Sequence, residues 1–302
     1  MTVRSSILSF ALRGVLFLAP VVAWQSVSLA AYLSDARFPY LVLQRHQEAK
    51  LTPDETVETL LVGDSSLGNA IDADQFSRET GSRAVSLALT GLYGYAGSEN
   101  MLARAAEVFP NLRTVVIVNT PDMLARERSS RGALLTLGSA GRLTRLDRAD
   151  ALDAIAEAFR LLFSREVAGY LLDRPPPAPP DVLDGDYIRQ AERRATPRLA
   201  TRTPADVRPE KLRALARLAQ TADDLGLDAV YVHGPLWEDQ LLADGAYLDA
   251  AERAIASTGL TFVPGFEPIP TDRLGDSADH VAREDRAAVT ARYAARLAPY
   301  LR

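Results

Sequence analysis

The sequence predicts a three-layer α/β fold, in which a parallel sheet of about five strands lies between two layers of helices. Short apolar segments alternate with longer segments of helical periodicity along most of the chain. Short apolar segments bounded by turn residues are typical of buried strands, whereas apolar residues three and four positions apart indicate helices. Strands that alternate with helices usually join into a parallel sheet through right-handed crossovers, with helices on both faces.

Five strands and four helices follow from these patterns, in chain order. The predicted strands are residues 59–64, 83–89, 114–119, 229–233 and 260–263. The predicted helices are residues 96–108, 209–225, 247–258 and 282–297. Together these elements indicate one α/β domain over residues 57–302.

A long insertion, residues 122–205, interrupts the alternation between the third and fourth strands. It contains an amphipathic helical pattern, with Leu152, Ile155, Phe159 and Leu162 on one face, and the proline-rich run 175–180. Proline disrupts helices and central strands, so this run predicts a stiff connector. The insertion also contains several arginines, Arg126 among them, whose interspersed acidic residues indicate a solvated surface. A connection of this length is typical of a substrate cap or of a surface excursion, and both remain open.

The N-terminal region has the character of a membrane anchor. Residues 14–34 carry no charge, and about 20 such residues can cross the hydrocarbon core of a bilayer. Arg4 and Arg13 precede them, so the positive-inside rule places residues 1–13 in the cytoplasm. We therefore expect a single-pass anchor in the cytoplasmic membrane, a linker at residues 35–56, and a periplasmic or extracellular catalytic domain. A cleaved signal peptide ending near Ser28-Leu29-Ala30 is one alternative, and a buried helix is the other.

Composition narrows the classes of function. The formal net charge of -5 gives no indication of nucleic-acid binding. The chain has no cysteine, which excludes disulfides, thiolate catalysis and cysteine-ligated zinc. Its three histidines lack the spacing of a metal-binding helix, and there is no glycine-rich phosphate loop. We therefore expect neither a metal nor a cofactor.

The segment Gly63-Asp64-Ser65, directly after the first predicted strand, gives the clearest indication of function. Ligands of open α/β sheets bind outside the carboxyl ends of the strands, where a serine can act as a nucleophile. An ordinary turn, in which Asp and Ser bond to the main chain, would explain the same residues. The distant segment Gly275-Asp276-Ser277-Ala278-Asp279-His280 favours the catalytic interpretation, because it supplies a histidine just before the last helix.

A serine hydroxyl is a weak nucleophile until a base takes its proton, and that base works best when a third group orients it. His280 is the best candidate base, because the loop before the last helix can meet the strand-end Ser65 at one sheet edge. Asp276 and Asp279 compete for the orienting role. Adjacent side chains usually point apart, which favours Asp276. His233, at the end of the fourth strand, could line the cleft, but a structural turn residue is the favoured interpretation.

Val62-Gly63-Asp64-Ser65 resembles the first sequence block of the SGNH, or GDSL-type, hydrolases, a family with a flavodoxin-like sheet. The resemblance implies that Ser65 is the nucleophile and that His280 is the base. The family's aspartate lies three residues before the histidine, where this chain has Ser277.

The resemblance also implies an oxyanion hole. Its expected members are the Ser65 N–H, Gly91 after the second strand, and Asn119 after the third, with Gly94 as the alternative glycine. The family's usual Gly-x-Asn-Asp sequence is absent around Asn119.

These features together predict an extracytoplasmic serine esterase or O-acyltransferase with Ser65, His280 and Asp276 as catalytic residues. The resemblance, together with the N-terminal anchor, implies as substrate an O-acyl ester, such as an acetyl ester, of a cell-envelope glycan or a small molecule. A membrane-bound partner that donates acyl groups is compatible with the transferase activity. The alternative is a catalytically inactive SGNH-like protein that binds a glycan or assembles with a partner.

Overall fold

The computed structural model describes residues 3–34, 39–126, 130–138, 148–164, 167, 187 and 197–301. The proline-rich run 175–180 lies outside the described residues. The helices in the described part of the chain are α1 (Val3–Ser34), α2 (Pro39–Ala49), α3 (Ser65–Ala70), α4 (Ala73–Thr80), α5 (Gly94–Val108), α6 (Ser130–Thr136), α7 (Arg148–Leu162), α8 (Pro209–Asp224), α9 (Glu238–Ala243), α10 (Gly245–Ala256) and α11 (Arg286–Leu297). The strands are β1 (Thr59–Gly63), β2 (Ala84–Ser86), β3 (Thr114–Asn119), β4 (Asp228–His233), β5 (Leu236–Trp237), β6 (Thr261–Val263) and β7 (Pro268–Ile269).

Five of these strands form one parallel sheet in the order β2-β1-β3-β4-β6. This is the strand order of flavodoxin-like sheets, in which the chain reverses its direction of winding next to β1. The predicted parallel sheet of about five strands is therefore confirmed. A separate pair, β5 and β7, forms a small parallel sheet that the sequence did not predict.

Helices cover both faces of the large sheet. Successive side chains of a strand point to opposite faces, and the two faces of β1 and β3 contribute to two different cores. Leu60 and Ile117 pack with α5, α8 and α10, whereas Leu61, Val116 and Val118 pack with α3, α4 and α11. This arrangement is the expected three-layer αβα architecture.

The four predicted helices correspond to α5, α8, α10 and α11, whereas α2, α3, α4, α6 and α9 were missed. Both α3 and α4 are short, and each begins at an aspartate that caps its first turn, Asp64 and Asp72. Helix α2 lies within the expected linker. It contributes the buried side chains Leu43 and Gln47, so part of this segment belongs to the folded body.

Helix α7 exposes the apolar face that the sequence predicts. Leu152, Ile155 and Phe159 are 57%, 43% and 60% exposed, whereas Leu161 is buried. Leu161 packs in a small cluster to which Leu29 of α1 also contributes. The insertion is thus held to the rest of the protein by the opposite side of α7.

Helix α1 covers the segment for which the sequence predicts an anchor, and it exposes several large apolar side chains, including Leu16, Phe17 and Val27. Within the described ranges, no helix is both long enough and apolar enough to cross a bilayer.

Candidate functional site

The candidate site lies where β1 and β3 end, and Asp64 connects these two ends. One carboxylate oxygen of Asp64 accepts hydrogen bonds from the Ser66 N–H and the Ser66 hydroxyl, at 3.0 and 2.6 Å. The other oxygen accepts the Thr120 N–H at 3.0 Å. Gly63 allows the close approach of the two strands, because a Cβ there would lie 1.8 Å from the Val118 carbonyl oxygen. Asp64 therefore has a structural role at this turn.

Burial changes the pKa of Asp64. Its side chain is fully enclosed, and this desolvation raises its pKa to about 6, with a further contribution from the nearby Asp279. The hydrogen bond from Ser66 acts in the opposite direction but does not outweigh burial.

Ser65 is the first residue of α3 and is the accessible serine of the Ser65-Ser66 pair. Its side chain is half-buried, whereas Ser66 is completely buried and its hydroxyl is bonded to Asp64. Ser66 is also enclosed by Gly234, where a Cβ would lie 2.1 Å from the Ser66 hydroxyl oxygen. Only Ser65 of this pair is available to a substrate.

His280 lies in the loop before α11 and is oriented by Asp276. The Asp276 Oδ1 lies 2.6 Å from the His280 Nδ1, within hydrogen-bond distance. The Asp279 Oδ1 lies 3.9 Å from the other ring nitrogen, Nε2, and accepts the Ser277 hydroxyl. This is the pairing that the sequence favoured.

The carboxylates around His280 change its pKa more than its burial does. Burial lowers its pKa, but the carboxylates of Asp279, Asp276 and Asp64 raise it, and the net shift is upward. Helix α3, which Ser65 begins, packs against α11, which follows the loop of His280; the Thr290 hydroxyl of α11 donates a hydrogen bond of 3.1 Å to the Ala70 carbonyl oxygen of α3. No hydrogen bond joins Ser65 to His280 among the contacts of the described residues.

Gly91, the expected oxyanion residue after the second strand, lies against Arg126. The Arg126 Nη1 lies 1.8 Å from the point where a Gly91 Cβ would be, so a larger residue at this position would displace the guanidinium. Asp122 holds Arg126 through two hydrogen bonds of 3.1 Å. Arg126 is thus only partly solvated: its side chain is 38% exposed and pairs with an interspersed acid as expected, but its Nη1 lies against Gly91. The alternative glycine, Gly94, begins α5 with φ +57°.

Asn119 ends β3 next to His233 of β4, and both side chains are enclosed. Asn119 is 1% exposed, and its amide nitrogen and oxygen have no hydrogen-bond partner in the part of the chain that the structure describes. The His233 ring stacks on Phe266 at 4.5 Å, and burial lowers its pKa to about 3, so it is neutral at ordinary pH. His233 therefore does not line an open cleft.

Tyr187, from the insertion, lies in the same region and was not identified from the sequence. Its ring fills the space above Gly68, where a Cβ would lie 2.2 Å from the Tyr187 Cδ2. Its hydroxyl donates a hydrogen bond of 2.9 Å to the Leu89 carbonyl oxygen, in the loop that leads to Gly91. No periodic pattern or motif marks this residue.

The described residues contain no group of three or more histidine or carboxylate side chains that could hold a metal ion. No family model matches the chain, and comparisons with curated proteins and with solved structures find no match either.

Proposed function

We propose that the protein is a serine esterase or O-acyltransferase that uses Ser65 as the nucleophile, His280 as the base and Asp276 as the orienting acid. The observation that carries this proposal is the 2.6 Å contact between the Asp276 Oδ1 and the His280 Nδ1, beside the turn that presents Ser65. An imidazole held at Nδ1 by a carboxylate has Nε2 free to accept a proton.

In the proposed reaction, the His280 Nε2 takes the proton of the Ser65 hydroxyl as the serine oxygen attacks the ester carbonyl. The tetrahedral intermediate collapses, the imidazolium protonates the leaving alcohol, and an acyl group remains on Ser65. Water then releases the acyl group in an esterase, whereas a sugar hydroxyl accepts it in a transferase. The Ser65 and Gly91 N–H groups stabilise the oxyanion.

The proposal requires the His280 Nε2 to reach Ser65 when a substrate is bound. Catalytic hydrogen bonds are often long in free enzymes and shorten in the substrate complex. Because carboxylates raise the pKa of His280, the base becomes neutral at a higher pH than an ordinary histidine. We therefore expect activity to rise with pH above about 6.5, the ordinary histidine value.

We further propose that the substrate is an O-acylated glycan outside the cytoplasm, with the insertion as part of a cap. The contacts of Tyr187 with Gly68 and with the Leu89 carbonyl support this role of the insertion. The exposed apolar side chains of α1, such as Phe17, support a membrane attachment. The full-length protein should then fractionate with membranes, and its C-terminus should be digested by externally added protease. Recovery of the intact chain from the cytoplasm would contradict this location.

A fluorophosphonate probe tests the catalytic proposal, because it labels only an activated serine. The wild type should be labelled and should hydrolyse a short-chain aryl ester, and Ser65→Ala should lose both properties with little change in thermal stability. Ser66→Ala is the matched control, because Ser66 is adjacent but buried. It should still be labelled. Equal labelling of the wild type and Ser65→Ala would contradict the assignment of the nucleophile.

A non-catalytic glycan-binding or assembly role is the second candidate. The enclosed Asn119 and the lack of a Ser65–His280 hydrogen bond within the described residues favour it. This alternative predicts that the wild type binds an acylated oligosaccharide but neither cleaves it nor reacts with the probe.

A further inference from the structure

The guanidinium of Arg126 is fixed in position beside the candidate site. Its Nε and Nη2 bond to the two carboxylate oxygens of Asp122, which gives the planar, two-point geometry that orients arginine strongly. Asp122 is itself held from a second side by Arg202, at 3.3 Å. Arg202 in turn binds the buried Asp244. These contacts leave the direction of the remaining nitrogen, Nη1, well defined.

The Nη1 of Arg126 points at Gly91. A hypothetical Gly91 Cβ would lie 1.8 Å from Nη1, so this nitrogen occupies the side-chain side of the residue whose N–H is expected in the oxyanion hole. Nη1 has no hydrogen-bond partner within the described residues, although the arginine side chain is 38% exposed. A cationic donor is therefore available next to the expected position of the ester oxygen.

The side chain that the family resemblance assigns to this task is enclosed. Asn119 is 1% exposed, and both of its polar side-chain atoms are shielded from solvent. A substrate oxygen cannot contact this amide without a rearrangement of the strand end. The site therefore lacks an accessible amide donor at that position but has a guanidinium nearby.

We infer that Arg126 is a catalytic residue whose Nη1 donates a hydrogen bond to the oxyanion formed at the ester carbonyl, in place of the Asn119 amide. This inference rests on the proposed function. In the reaction, the carbonyl π electrons move onto oxygen as the Ser65 oxygen bonds to carbon, and Arg126 stabilises that negative charge without losing its proton. Hydrogen bonds from a charged donor are about twice as strong as neutral ones.

Arg126→Met tests the inference, with Arg83→Met as the matched control. Both arginines pair with an aspartate, but Arg83 pairs with Asp74 at the amino ends of the strands, whereas Arg126 lies against Gly91. Loss of one oxyanion donor typically lowers kcat by about 10²–10³-fold. We expect Arg126→Met to show such a loss in kcat with little change in KM for a neutral ester, and a similar slowing of fluorophosphonate labelling. Arg83→Met should lose far less.

Two further measurements distinguish a donor from a merely structural side chain. Exogenous methylguanidinium should restore part of the activity of Arg126→Ala, because it can occupy the vacated position. Gly91→Ala should displace Nη1 and lower kcat similarly, and the double variant with Arg126→Met should be no worse than either single variant.

The outcomes separate this inference from the proposed function. If the wild type is labelled at Ser65 but Arg126→Met keeps its kcat, or Arg83→Met loses as much activity, only the role of Arg126 is overturned. Failure of methylguanidinium rescue, or additive losses in the double variant, would also overturn it. A wild type that is neither labelled nor active would overturn both.

Discussion

Asp64→Asn tests the competition between hydrogen bonding and desolvation at the serine turn. The carboxylate accepts three hydrogen bonds, from the Ser66 N–H, the Ser66 hydroxyl and the Thr120 N–H. An asparagine of the same shape must direct its amino group at one of these donors. Leaving a buried donor unsatisfied costs about 1–3 kcal/mol of folding free energy.

The negative charge of the Asp64 carboxylate has the opposite effect, because burying it lowers the free energy of unfolding of the wild type. Burial raises the pKa of Asp64 from 3.8 to about 6, so the folded state binds the proton more tightly than the unfolded state. The free energy of unfolding of the wild type must therefore fall as the pH rises from roughly 4 to 6, and level off above that range. Between about pH 4.5 and pH 7.5 the linkage relation gives a change of about 2 kcal/mol. Asparagine does not titrate and lacks this change.

The assay is urea denaturation of the full-length wild type and Asp64→Asn in a mild detergent, at several pH values in this range. We expect Asp64→Asn to be less stable than the wild type at about pH 4.5. The difference should shrink by about 2 kcal/mol at about pH 7.5, where the wild type carries the buried charge. Other groups titrate in both proteins, so the comparison cancels most of their contribution. A difference that is independent of pH, or larger at the higher pH, would refute this account of Asp64.

Three further predictions concern the base, its orienter and the insertion. His280→Ala should lower kcat/KM about as much as loss of the nucleophile, because members of a triad act as a unit. His233→Phe should change kcat/KM little. Steady-state kinetics of both variants on one ester test this difference. Asp276→Asn should lower the rate on the order of 10⁴-fold and move the acid limb of the pH–rate profile to lower pH, since the carboxylate that raises the His280 pKa is lost. Asp279→Asn should lower the rate less than Asp276→Asn does. A larger loss of rate for Asp279→Asn would assign the orienting role to Asp279. Tyr187→Phe removes a buried hydrogen bond to a main-chain carbonyl and should destabilise the protein by about 1–3 kcal/mol, measured by urea denaturation; unchanged stability would contradict the contact.

The strands of the sheet and the contact between Asp276 and His280 could both be predicted from the sequence alone. The apolar runs of β1, β3 and β4 are buried along nearly their whole length, so a local pattern suffices to predict them. Asp276 and His280 are four residues apart in one loop, and their contact is likewise a local matter.

The identity of the side chains around Ser65, in contrast, depends on how distant parts of the chain pack together. Arg126 and Tyr187 come from the insertion, and their contacts with Gly91 and Gly68 depend on how distant segments pack. The enclosure of Asn119 depends in the same way on neighbouring strands and loops. Periodicity predicts which face of an element is apolar, but it does not predict what packs against that face, so the long-range contacts of Arg126 and Tyr187 at this site could not be predicted from it.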